Sequence, residues 1–262
     1  MPTISQFAAV ALARQDERGP CARTTGRALY SHRVLSADDP LVISLTGLIR
    51  DGDVSGLSTL LSTHPSLASE RFGDTEMSCT ALHVATDWPG HYPSVSESIA
   101  VLIAAGAPID GRFAGPHRET ALHWAASSDD VDALDALLDA GADIEADGAV
   151  LTNGTPLADA VVFAQWNAAR RLVERGATMT IWQAAALANA EEVARLLDEG
   201  THTGPDVTNA CWHACRAGQL HTAQMLVAHG ADVDWLGYEN LTSQQAGMAS
   251  GSNDLVAWLR GV

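Results

Sequence analysis

The sequence predicts an all-α fold built from stacked helix-turn-helix units. Three observations carry this prediction: glycines recur at intervals after apolar runs, an apolar helical face precedes each glycine, and a short Ala-rich segment often precedes that face. A period of about 20 to 50 residues is typical of a solenoid, whose units bury their apolar faces only by stacking on their neighbours.

The recurring glycines end five apolar runs, LIAAGA, LLDAGA, LVERGA, LLDEG and LVAHGA. They are Gly106, Gly141, Gly176, Gly200 and Gly230, and they lie 35, 35, 24 and 30 residues apart. A glycine after an apolar run suits the left-handed residue that follows a helix. Each of these glycines is therefore predicted to end a helix.

The helix upstream of each glycine shows apolar residues at constant offsets, such as Val131, Leu134 and Leu137, or Leu220, Ala223 and Leu226. Such spacings place the side chains on one face of a helix. Before this helix comes a shorter segment that reads TALHVA at Thr80, TALHWAA at Thr120 and TPLADA at Thr155. Thr is a good helix N-cap, so each Thr is predicted to begin a helix.

These motifs resemble the ankyrin-repeat family, whose T-P-L-H-x-A and closing GAD are matched at residues 120–125 with 141–143, and whose GAD recurs at 230–232. The resemblance implies an all-α ankyrin-repeat solenoid over residues 41–262, preceded by a non-repeat arm, 1–40. Five clear units are expected, with degenerate caps at 41–76 and 241–262. The five units are 77–117, 118–152, 153–178, 179–207 and 208–240.

Two departures from the family pattern are evident. The unit 77–117 contains an insertion, TDWPGHYPSVSES, which holds Asp87 and Trp88. Because loops carry function more often than scaffold helices, this insertion is a candidate functional segment. The short interval between Gly176 and Gly200 leaves little room for the β-turn finger that ankyrin units project, so one finger is predicted to be missing.

Composition excludes several classes of partner. The formal net charge of −17 would repel a phosphate backbone, so we expect no binding of nucleic acid. No segment approaches the roughly 20 apolar residues needed to cross a bilayer, so no membrane association is expected. The four Cys form no dense framework, which favours free thiols and a cytoplasmic location.

Trp is unusually frequent, with seven residues against four Phe and three Tyr. In the repeat frame Trp182 and Trp212 fall at the position of the motif His, and Trp124 falls one residue later. Because the first helix of each ankyrin unit lines the concave surface, the resemblance places these Trp on or near it. They either fill gaps between helices or, with Trp88 and Trp166, wall an apolar pocket.

Asp159 shares its frame position with Trp124 and His213, so these three are expected along one row of the solenoid. An Asp and a His surrounded by Trp are what a small-molecule site with acid–base capacity requires. The alternative is a solvated groove residue that pairs with Arg170 or a backbone amide.

The remaining chemical groups have structural explanations beside functional ones. His83 and His123 occupy the motif position whose imidazole bonds to a neighbouring unit in this family. Cys211 and Cys215 have a spacing that metal ligands use, but both fall at core positions, so we expect no metal site and no cofactor. Asp129 and Asp130 are expected to cap the next helix, although Asp129 could instead face a bound partner.

Two hypotheses remain. The first is a binding module that recognises a protein partner through its concave groove, and its acidic surface favours a basic or neutral partner. The second is an enzyme or small-molecule-binding protein with a Trp-walled pocket, in which Asp159, His213 and Asp87 supply acid–base groups for proton transfer, cyclisation or hydrolysis of an apolar substrate. No P-loop, GxSxG or HExxH motif favours a particular enzyme class.

Overall fold

A computed structural model describes residues 34–74 and 76–262. The described chain divides into two compact units, which we call the first unit, ending at Ala168, and the second unit, Ala169–Val262. In the described residues, no helix is both long enough and apolar enough to span a membrane.

Fourteen α-helices of the described chain follow one another in pairs. They are α1 (Pro40–Asp51), α2 (Val54–Thr63), α3 (Ala81–Thr86), α4 (Val95–Ala104), α5 (Ala121–Ser127), α6 (Val131–Asp139), α7 (Pro156–Val162), α8 (Trp166–Glu174), α9 (Ile181–Ala186), α10 (Ala190–Asp198), α11 (Gly204–Arg216), α12 (Leu220–Ala228), α13 (Ser243–Met248) and α14 (Asn253–Leu259). Short 3₁₀ turns lie at Pro65–Ser69 and Tyr238–Asn240.

The helix pairs reproduce the predicted order of units. The pairs from α3/α4 to α9/α10 fall in the first four predicted repeats, and α13/α14 falls in the second predicted cap. The helix α11 begins at Gly204, before the predicted boundary at 208, and α1 begins at Pro40, one residue before the first predicted cap. All five predicted end-of-helix glycines have positive φ, for example 93° at Gly141. The predicted all-α fold is confirmed.

A small sheet accompanies the first helices and was not predicted. Strand β1 (Val34–Leu35) pairs in parallel with β2 (Arg71–Gly73), which pairs antiparallel with β3 (Ser78–Cys79). The Arg71 side chain braces the sheet, because its Nε donates to Ser78 Oγ at 2.8 Å. Strand β1 lies within the predicted arm, and residues 1–33 of that arm, including Cys21, lie outside the described residues.

Each unit has its own apolar core, formed where the amphipathic faces of neighbouring helices meet. The first unit fully buries a series of large side chains, among them Leu45, Ile49, Leu82, Ile99, Leu122 and Leu134. The second unit packs Ile181, Val193, Cys211, Cys215, Leu226 and Leu255 together. Because each buried Leu or Ile stabilises the fold by roughly 1.5–3 kcal/mol, stacking rather than helix propensity holds these short helices.

Two inter-repeat links are short, whereas one was predicted. The expected short link between α8 and α9 spans residues 175–180, and a second spans 199–203 because α11 begins as early as Gly204. Thr203 begins that helix, and its backbone N–H and hydroxyl both donate to Asp206 Oδ2. The prediction of one missing finger is therefore wrong in number, because the Thr203 cap begins α11 early and shortens a second link.

Candidate functional site

A cavity of about 520 Å³ opens in the first unit. We call it the groove cavity. Its walls are mainly apolar and come from the sheet and from the first helices of neighbouring repeats; they include Val42, Ile43, Phe72, Val84 and Trp124. Ile43 is 57% exposed, so the apolar wall is open to a ligand. The titratable side chains that line the cavity are Arg50, Cys79 and Asp87.

The two charged side chains of the groove cavity neutralise each other. Arg50 donates from a terminal guanidinium nitrogen to Asp87 Oδ2 at 3.2 Å, and its guanidinium lies 5.9 Å from the Tyr92 ring centroid. Burial raises the pKa of Asp87, and Arg50 partly offsets this effect. Burial and the nearby Asp87 also raise the pKa of the Cys79 thiol to about 11. Cys79 is therefore protonated near neutral pH and is a poor nucleophile.

The insertion is tied to the next repeat rather than free above the cavity. The His91 backbone N–H donates to Asp130 Oδ2 at 2.6 Å, and His91 Nε2 lies 3.1 Å from the Ser128 carbonyl oxygen. Asp130 also accepts from Ala133 N–H, as expected of the N-cap of α6. Trp88 is exposed and is not among the residues that line the groove cavity.

Trp124 connects the groove cavity to a buried carboxylate, Glu119. The indole Nε1–H donates to Glu119 Oε2 at 2.8 Å, and the Val150 backbone N–H donates to Oε1 at 2.8 Å. His117 Nδ1 lies 3.1 Å from Oε2. Burial acts to raise the pKa of Glu119, but His117 and the Val150 amide outweigh it and lower that pKa. Glu119 is thus held as a carboxylate.

Asp159 is the second member of this carboxyl pair. It is completely buried, and neither of its oxygens accepts a hydrogen bond from a protein donor. Burial, followed by the neighbouring Glu119, raises the pKa of Asp159 well above its ordinary value. Asp159 is therefore the protonated partner, with Glu119 as the available acceptor. The alternative of a solvated groove residue is wrong, because no solvent reaches this side chain.

A repeated hydrogen-bonded framework surrounds these groups. Thr80 donates from its backbone N–H to Nδ1 of His83, whose Nε2 lies 3.1 Å from the Glu119 carbonyl oxygen. Thr120 and His123 repeat the arrangement, and His123 Nε2 lies 3.2 Å from the Gly154 carbonyl oxygen. The predicted structural role of both His residues is confirmed. Because Nδ1 accepts and Nε2 donates, both rings are neutral.

The second unit contains an aromatic cluster around His213. The centroid of its ring lies 4.6 Å from that of Trp182, 5.1 Å from that of Trp212 and 5.3 Å from that of Tyr238. Burial lowers the pKa of His213 to about 3, so the imidazole is neutral. Trp212 is buried, and its Nε1–H donates to the Leu241 carbonyl oxygen at 2.9 Å.

Comparison with known proteins identifies the architecture. Residues 117–149 match the family model for the ankyrin repeat. The chain is also similar to the crystal structure of the human ASB11 ankyrin repeat domain, with a TM-score of 0.51 at 16% identity. That likeness covers 82% of this chain and 96% of the other. The fold is that of an ankyrin-repeat protein. No curated protein sequence matches the chain.

The ankyrin frame corrects the position assigned to Trp182. Gln183, not Trp182, replaces the motif His, because its Oε1 accepts from both the backbone N–H and the hydroxyl of Thr180. In this unit the cap of the second helix, Asn189, follows the Thr180 cap of the first helix at a spacing one residue shorter than the spacing between Thr120 and Asp130. Aligning the sequence on the downstream glycine therefore displaced the frame by one residue.

The predicted site residues fall into separate groups. Asp87 and Trp124 line the groove cavity, and Asp159 meets Trp124 only through Glu119. Trp182, Trp212 and His213 form the aromatic cluster of the second unit. Asp129 accepts from Asn167 Nδ2 and Ala168 N–H, so it holds the start of α8, where Trp166 lies.

Sequence reasoning missed Glu119, Arg50 and Ile43. Glu119 immediately precedes the Thr of the clearest motif, and a charged residue next to a helix cap gives no signal of burial. Arg50 and Ile43 lie in a degenerate cap, where the motif offers no frame.

Proposed function

We propose that this ankyrin-repeat protein is a protein-interaction module that holds its partner in the groove cavity of the first unit. The single observation that supports the proposal is the cavity itself, whose apolar wall includes an exposed Ile43 and a partly exposed Trp124. Ankyrin repeats serve as protein-interaction modules, and a concave apolar site with few polar groups suits an anchoring side chain.

The cavity favours an uncharged, apolar anchor. Arg50 and Asp87 already pair, so a partner that inserted a single charge would break the pair and leave one of them unbalanced. Phe72, Val84 and Trp124 offer an aliphatic and aromatic lining for a side chain such as Leu or Phe. Outside the anchor, the net charge of −17 favours a partner segment that is neutral or basic.

Peptide selection tests this proposal directly. A random dodecapeptide phage library is panned on the purified full chain, and the affinities of the enriched peptides are measured by fluorescence polarisation. Replacing Ile43 by Glu places a carboxylate on the apolar wall, and we expect it to weaken the selected peptides at least tenfold. Replacing the anchor position of each peptide by Ala should cause a comparable loss.

Leu151→Glu is the matched control, because Leu151 is 46% exposed in the same unit and does not line the cavity. This control should bind the peptides as the native chain does. Peptides that bind the Ile43→Glu variant as tightly as the native chain would show that the groove cavity is not the binding site.

A second candidate function is the binding of an apolar small molecule in the same cavity. Its volume lies within the range of about 300–1,000 Å³ found for ligand sites. A ligand that binds only the folded state raises the melting temperature, so thermal shifts against pools of cell metabolites test it. Shifts that persist in the Ile43→Glu variant would argue against this site. Of the three predicted acid–base groups only Asp87 lines this cavity, and its role there stays a prediction; Asp159 and His213 do not line it.

We further propose a cytoplasmic location. Cys79, Cys211 and Cys215 are all unpaired, as expected in a reducing compartment. The protein is isolated from the cell, denatured without a reductant and treated with an alkylating reagent. We expect the reagent to label all three thiols. Oxidised thiols would speak against this location.

A further inference from the structure

A second surface lies in the second unit, on the segment that links α12 to α13. It consists of Trp235, Leu236 and Tyr238, which are 36%, 61% and 53% exposed. We call these three residues the aromatic patch. The Trp235 and Tyr238 rings meet edge to face, with centroids 6.3 Å apart. Three large apolar side chains exposed within four residues are unusual for a surface that has no partner.

Contacts with the buried Trp212 and with the Leu241 carbonyl oxygen hold the aromatic patch in position. Trp212 packs edge to face on Tyr238 at 5.1 Å between centroids and donates its Nε1–H to the Leu241 carbonyl oxygen. The Gly237 backbone N–H donates to the same carbonyl oxygen at 3.0 Å. The two exposed rings are therefore positioned before any partner arrives, which reduces the entropy lost on binding.

Exposed carboxylates flank these rings. Asp232 and Asp234 precede Trp235, and Glu239 follows Tyr238. Glu239 acts electrostatically on Arg216, whereas Asp232 and Asp234 form no ion pair with any residue of the described chain. Asp232 accepts only the backbone N–H of Asp234. The patch thus combines aromatic faces with uncompensated negative charge.

We infer that the aromatic patch docks an arginine-bearing segment of a protein partner. A guanidinium group can stack on the faces of Trp235 and Tyr238 while it donates hydrogen bonds to carboxylates such as Asp234. An ammonium group would gain the charge interaction but stacks less well on a ring. This surface is independent of the groove cavity, because it involves only residues of the second unit.

A model peptide tests the inference on the full chain. The probe is a capped nine-residue peptide that alternates Gly and Arg, and its affinity is measured by calorimetry at physiological ionic strength. We expect the double variant Trp235→Ala, Tyr238→Ala to bind it about tenfold more weakly, as two exposed cation–π contacts predict, although its net charge is unchanged. Citrulline in place of Arg should abolish binding.

Two further variants separate docking from diffuse attraction by an acidic protein. Met248→Ala removes an apolar residue of the same unit that is 61% exposed, and it should leave the affinity unchanged. Asp232→Asn with Asp234→Asn should weaken the peptide and flatten the salt dependence, while the aromatic rings stay in place. Equal affinity of the native chain and the Trp235→Ala, Tyr238→Ala variant would overturn the inference, as would no measurable binding by the native chain.

Discussion

Asp159 lies next to Glu119 in the interior of the first unit, where burial and the neighbouring Glu119 raise the pKa of Asp159 well above its ordinary value. Glu119 is stabilised as a carboxylate by Trp124, Val150 and His117, whereas Asp159 receives no hydrogen bond from a protein donor. The folded chain therefore binds a proton at Asp159 that the unfolded chain releases near neutral pH.

Asp159→Asn is expected to stabilise the protein at neutral pH. Because folding raises the pKa of Asp159, the contribution of this residue to the free energy of unfolding is complete below pH ~3.9. It is lost as the pH rises toward the pKa of Asp159 in the folded state. The amide of Asn can donate to Glu119 at any pH. The advantage of the variant should grow by about 1.4 kcal/mol for each pH unit within that window.

Urea unfolding at a series of pH values measures this advantage. Asp38→Asn serves as the control, because Asp38 is exposed and its replacement should change stability little at any pH. An Asn variant that is less stable than the native chain at every pH would mean that Asp159 is not the protonated member.

His83→Gln with His123→Gln is expected to reduce the loss of stability on mild acidification. Burial lowers the pKa of each His to about 4, so the unfolded chain binds more protons between pH ~6.5 and 4. The contribution of these neutral His residues to the free energy of unfolding is complete above pH ~6.5 and is lost as the pH falls. Gln is a suitable replacement, because Gln183 already makes the corresponding bonds to Thr180.

The native chain loses unfolding free energy when the pH falls from 7 to 5. Each replacement should make that loss smaller by about 2 kcal/mol. His221→Gln, on an exposed position of α12, should leave the pH dependence as it is in the native chain. The explanation fails if the double variant and the native chain lose stability in parallel.

Trp124→Phe is expected to destabilise the first unit by about 1.5–3 kcal/mol, because it removes a hydrogen bond to a buried carboxylate. Combining it with Glu119→Gln in a double-mutant cycle isolates the contact, and a coupling energy of about 1 kcal/mol or more is expected. Trp88→Phe is the control, since the exposed Trp88 lies outside this network. Additive effects of Trp124→Phe and Glu119→Gln would contradict the contact.

The fold could be predicted because its signals repeat, whereas the carboxyl pair could not. The five end-of-helix glycines and the Thr caps of the first helices indicate the same repeat frame, so one irregular unit does not change the predicted fold. Even so, a one-residue deletion before Asn189 misplaced Trp182. Glu119 and Asp159 come from different repeats and are buried only because neighbouring repeats stack, and a single sequence carries no record of that contact.

Gly237→Ala is expected to destabilise the second unit, because the added Cβ would lie 2.7 Å from Trp212 Nε1 and 2.7 Å from Trp235 Cζ3. Trp212 cannot move away without losing its bond to Leu241, so the segment carrying the aromatic patch must shift instead. Overpacking of this kind costs about 1–3 kcal/mol. Gly204→Ala is the control, because a Cβ there meets nothing within 4 Å. Thermal unfolding should show a lower melting temperature for Gly237→Ala alone, and equal temperatures for both variants would show that Trp212 does not fix the segment.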